Sequence, residues 1–86
     1  MSDRTPRATL LVVDDEKHQR ESLQAILEDE GYRVTAAADG REALGLAAET
    51  HPEVVLTDLR MPGLSGLDLV KALTEGSLPP RVILIT

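Results

Sequence analysis

Eighty-six residues with a net charge of −6 and a single aromatic, Tyr32, leave room for one small domain whose core is built from Leu, Val, Ile and Ala. Nine basic residues scattered along the chain argue against a nucleic-acid surface in this segment, because phosphate contacts need clustered Lys and Arg. The lack of cysteine excludes disulfides and thiolate metal sites, and no run has the apolar character of a signal peptide or the length of a membrane span, so a soluble, cytoplasmic domain is expected.

Residues 1–8 read as a polar lead-in. Residues 10–14 form the first expected strand, a β-branched-rich apolar run that ends in carboxylates. Residues 17–30 carry Leu23, Ile26 and Leu27 at helical spacing, with Gly31 as the stop. A second strand follows over residues 33–37. Asp39 then opens a helix with Glu42 three places on, a capping-box pattern, and Ala43, Leu44, Ala47 and Ala48 supply its inward stripe. Pro52 closes that helix. Residues 54–58 are the third strand, followed by turn chemistry at Met61-Pro62-Gly63. Ser65 caps a third helix, with Asp68 in the box position and Leu69, Val70 and Leu73 on its buried side. Gly76 and Pro79-Pro80 end it, and residues 81–86 begin a fourth strand. The alternation β-α-β-α-β-α-β implies a parallel sheet with right-handed crossovers.

The chemistry is concentrated at two strand ends. Asp14 and Asp15 follow Leu10-Leu11-Val12-Val13, and Asp58 ends Val54-Val55-Leu56-Thr57. Ligands of open α/β sheets bind at the carboxyl edge of the strands. If the two strands are neighbours, three carboxylates share one crevice and repel, which calls for a hard cation such as Mg2+. One of the three is then placed to accept a phosphoryl group.

Four motifs stand in order along the chain: Leu11-Val12-Val13-Asp14-Asp15-Glu16, Asp39-Gly40-Arg41-Glu42-Ala43-Leu44, Thr57-Asp58-Leu59-Arg60-Met61-Pro62-Gly63 and Val82-Ile83-Leu84-Ile85-Thr86. Together they resemble a response-regulator receiver domain of two-component signalling, over residues 9–86. The resemblance implies a doubly wound, flavodoxin-like parallel sheet with strand order 2-1-3-4, incomplete after its fourth strand. It makes Asp58 the phosphoacceptor for a sensor histidine kinase, with no enzymatic activity beyond its own phosphorylation and dephosphorylation. Asp15, Asp58 and the main-chain carbonyl of Arg60 would bind Mg2+, for which Mn2+ can substitute, and Asp14 would act through a metal-bound water. Thr86 would be the switch hydroxyl. The segments after Asp58 and Ser65 most resemble receivers attached to sigma-54-dependent transcriptional activators, which implies a transcriptional output. Such domains carry a Lys at the end of a further strand, and that position lies beyond Thr86.

Blander readings stand beside these. Asp14 and Asp15 are also suited to capping the first helix, and Glu16 reads as a helix-start charge rather than a metal ligand. His18, His51 and Lys17 read as solvated, and Thr86 as strand packing. Two other function classes compete. A haloacid-dehalogenase-like phosphohydrolase would show Asp-x-Asp where this chain has Asp14-Asp15-Glu16. A self-associating module, indifferent to phosphorylation, would pair copies through the apolar edge at Val82 to Ile85, giving a homodimer.

Overall fold

The computed structural model describes residues 8–58, 66–75 and 80–85. The elements run β1 (Thr9–Val13), α1 (Lys17–Asp29), β2 (Arg33–Ala37), α2 (Gly40–Thr50), β3 (Val54–Asp58), α3 (Gly66–Thr74) and β4 (Arg81–Ile85). All pairings are parallel, and the sheet order is β2-β1-β3-β4, as the alternating pattern and the family resemblance led one to expect. The first strand ends one residue earlier than expected, at Val13, so Asp14 begins the loop.

Strand alternation sorts the core onto two faces. Leu11, Val13 and Val55 point to one side, where they meet Ala43 of α2 and Leu69 and Leu73 of α3. Leu10 and Val12 point to the other, where Leu23 and Leu27 of α1 join Val34. The sheet is therefore doubly wound, with α1 alone on its face among the described helices. One part of that face stays open: an apolar groove of about 710 Å3 runs between Leu27, Tyr32, Leu10, Val54, Leu56 and Ile83.

Local chemistry fixes the helix ends. At the end of α1, Gly31 takes φ 97°, its N–H donates to the Glu28 carbonyl at 3.0 Å, and the Tyr32 N–H donates to Leu27 at 3.2 Å. That is a Schellman stop, and Tyr32 packs on the same apolar cluster as Leu27. Asp39 caps α2 by accepting the Glu42 N–H at 2.8 Å. The return bond of the expected box goes one residue upstream, from the Ala38 N–H to Glu42 Oε1 at 2.9 Å. The helix closes on His51 in the left-handed region at φ 49°, before Pro52. His51 and His18 are both exposed, as read from the sequence. Ile26 departs from the helical pattern, since it is 61% exposed while Leu23 and Leu27 turn inward. The expected caps and stops at Ser65, Gly76 and Pro79 lie outside the described residues.

Candidate metal and phosphoacceptor site

The β1–β3 register builds the site. Val13 pairs with Thr57, so the next residues, Asp14 and Asp58, come side by side at the carboxyl edge of the sheet. Asp15 follows on the loop. One carboxylate oxygen from each of Asp14, Asp15 and Asp58 lies within 4.8 Å of the others. The three sequence-assigned aspartates are thus brought together, while Arg60 and Thr86 lie outside the described residues.

The three differ in environment. Asp14 is buried, 1% exposed, Asp58 is half-buried and Asp15 is exposed. Asp14 is held by its own backbone: its N–H donates to the Ala37 carbonyl of β2 at 3.1 Å, and Oδ1 accepts the Glu16 N–H at 2.9 Å. Its other oxygen, Oδ2, is buried without a hydrogen-bond partner among the described residues. A buried carboxylate oxygen in that condition is costly unless a cation completes it. Beneath the site, Thr57 is fully buried and its hydroxyl donates to the Asp58 carbonyl at 3.1 Å.

Neither Asp14 nor Asp15 caps α1. Glu16 is the N-cap, with its carboxylate accepting the His18 N–H at 3.3 Å and the Gln19 N–H at 2.7 Å. Those two backbone bonds, Gln19 first, hold the Glu16 carboxyl below the usual glutamate range. The reading of Glu16 as a helix-start charge holds, and it frees the aspartates for other work. Sequence reading passed over Arg20, whose Nη1 donates to the Asp14 carbonyl at 2.9 Å. Its only signal was its place one turn after the cap.

A cluster of three carboxylates with one buried, partnerless oxygen suits a hard divalent cation with oxygen ligands. The residues present therefore fit Mg2+.

The chain matches the response regulator receiver domain model over residues 10–86. It is 45% identical over 80 residues to the positive alginate biosynthesis regulatory protein of Pseudomonas aeruginosa, which covers 90% of this chain and 32% of that protein. Its fold is similar to that of the Vibrio cholerae chemotaxis protein CheY4, with TM-score 0.87 and 37% identity over 90% of this chain and 66% of that one. It is similar also to response regulator protein TrrA of Thermotoga maritima, solved in complex with Mg2+-BeF, with TM-score 0.82, 37% identity, 88% of this chain covered and 66% of that one. The chain belongs to the response regulator receiver domain family, whose members are signalling modules of two-component systems. It spans about a third of the length of the curated relatives it matches.

Proposed function

We propose that residues 9–86 act as the phosphoacceptor receiver module of a cytoplasmic two-component system, taking a phosphoryl group on Asp58 from a sensor histidine kinase and switching a transcriptional output. The observation that carries this reading is the buried Asp14 Oδ2, without a partner among the described residues, in a cluster completed by Asp15 and Asp58. Asp15 and Asp58 would hold Mg2+ directly, joined by the Arg60 carbonyl, and Asp14 would act through a water on the ion. The ion, when bound, offsets the charge of the incoming phosphoryl group.

The chain's own residues do the rest. The Asp58 carboxylate oxygen forms a bond to phosphorus as the bond from phosphorus to the kinase imidazole nitrogen breaks. The electron pair stays on that nitrogen, and Asp58 becomes an acyl phosphate. Thr57, through its bond to the Asp58 carbonyl, fixes the backbone from which the nucleophile projects. The Thr86 hydroxyl reports the new charge by hydrogen-bonding a phosphoryl oxygen.

Intact-mass measurement after incubation with acetyl phosphate and Mg2+ tests the reading. A phosphoryl adduct that needs Mg2+ and vanishes in Asp58→Asn is expected. A folded chain with no adduct, or an adduct that survives the substitution, sinks it. Turnover of an external phosphoester would favour the hydrolase instead.

A homodimer through the β4 edge is a second proposal, which does not depend on phosphorylation. Ile83 and Leu84, on alternate faces of β4, are 49% and 44% exposed, and Ile83 borders the open apolar groove. Apolar surface beside a strand edge favours pairing with a second chain. Light scattering is expected to give a dimer mass at high protein concentration. A stable monomer there rules the dimer out.

A further inference from the structure

Arg20 sits in the second turn of α1, half-buried, and its side chain reaches back toward the helix start, as side chains on a helix do. Its Nη1 donates to the Asp14 carbonyl at 2.9 Å. With that bond, every polar atom of Asp14 but one is engaged: the N–H by Ala37, the carbonyl by Arg20, and Oδ1 by the Glu16 N–H. Only Oδ2 remains. The Glu16 peptide is tied in turn, because its carbonyl accepts the Arg20 N–H at 2.9 Å. Arg20 therefore grips the Asp14–Glu16 loop from both its backbone and its side chain.

We infer that Arg20 is a positioning residue for the cation site: it orients the Asp14 peptide so that Oδ2 is left for the ion. This rests on the metal reading above. Two effects of Arg20 on a bound cation oppose each other. Its positive charge disfavours a second cation nearby, but that repulsion is screened by solvent and salt on a half-exposed side chain. Its hydrogen bond orders the loop before the ion arrives, and a bond from a charged donor is among the stronger ones. Ordering is expected to win, because the bond is direct and charge-assisted whereas the repulsion is screened.

The sign of the mutational effect separates these accounts. Arg20→Met keeps the stem and removes both charge and donor. Arg20→Lys keeps charge and one donor. Mg2+ affinity by titration calorimetry is expected to fall roughly tenfold in Arg20→Met, the loss of one oriented charged hydrogen bond, and to recover in part in Arg20→Lys. Amide exchange of the metal-free protein supplies the second readout: the Glu16 N–H, bonded to Asp14 Oδ1, is expected to exchange severalfold faster in Arg20→Met. Tighter Mg2+ binding in Arg20→Met overturns the inference in favour of pure charge repulsion. Unchanged affinity in a variant with a wild-type urea midpoint overturns it as well. If the wild-type chain itself shows no saturable Mg2+ binding, the metal reading fails. Unchanged Glu16 exchange in Arg20→Met would overturn the tether alone.

Discussion

Asp14→Asn is expected to stabilise the metal-free protein and to abolish its stabilisation by Mg2+. The wild-type cluster holds three carboxylate oxygens within 4.8 Å of one another, a spacing at which each pair repels by about 3–4 kcal/mol at an effective dielectric of about 20. Exposure of Asp15, half exposure of Asp58 and screening by salt reduce the net relief to about 1–2 kcal/mol. An Asn in the same rotamer keeps Oδ1 as acceptor for the Glu16 N–H. It also puts an N–H donor where Oδ2 stood without a partner among the described residues, and it removes the negative charge that residue 14 adds beside Asp15 and Asp58. The same change removes a negative charge beside the ion and the acceptor for its water. Wild-type protein at a Mg2+ concentration tenfold above its dissociation constant gains about 1.4 kcal/mol by mass action, and the variant gains almost none. Thermal unfolding with and without Mg2+ gives all four values. A variant less stable than wild type without metal, or stabilised equally by Mg2+, contradicts the reading of this cluster as a cation site.

The second large effect lies in the core. Leu69 of α3 is fully buried and packs into the cluster of Leu11, Val13 and Val55. Truncating it to Ala removes apolar contact and leaves a cavity, at a cost of about 2–5 kcal/mol. Folded domains hold roughly 5–15 kcal/mol in total, and a domain this small sits toward the low end. Leu69→Ala is therefore expected to lower the urea midpoint by roughly 2 M or more, given a slope of about 1 kcal/mol per M. Ile26→Ala supplies the contrast. Ile26 is 61% exposed, so its truncation is expected to move the midpoint by less than about 0.5 M. Equal shifts for the two variants would mean that α3 does not close the core as described.

That contrast marks where sequence reading stops. The spacing of Leu23, Ile26 and Leu27 identifies α1 as amphipathic, because period 3.6 is a local property of the chain. It does not say how wide the buried stripe is. That depends on how α1 lies against β1 and β2, and the packing leaves Ile26 in solvent. The Gly31 stop and the Asp39 cap were legible for the same reason: both act over a few residues through φ preference and short hydrogen bonds. The box at Glu42 was legible only to within one residue, since its carboxylate chose the Ala38 N–H.

At the site, the sequence alone determined the residue types. Two apolar runs ending in Asp14-Asp15 and Asp58 announce carboxylates at the edge of a parallel sheet, and alternation of elements makes that sheet parallel. Only the tertiary structure decided their roles relative to one another. Residues 14 and 58 are separated by about half of the chain, and nothing local sets the Val13–Thr57 register that brings them together. Burial of Asp14 with one oxygen unpartnered among the described residues, capture of the helix cap by Glu16, and the reach of Arg20 to the Asp14 carbonyl are likewise tertiary results. Each turns on which polar group arrives first at a given backbone atom once the chain has folded, a competition in space that spacing along the chain does not encode.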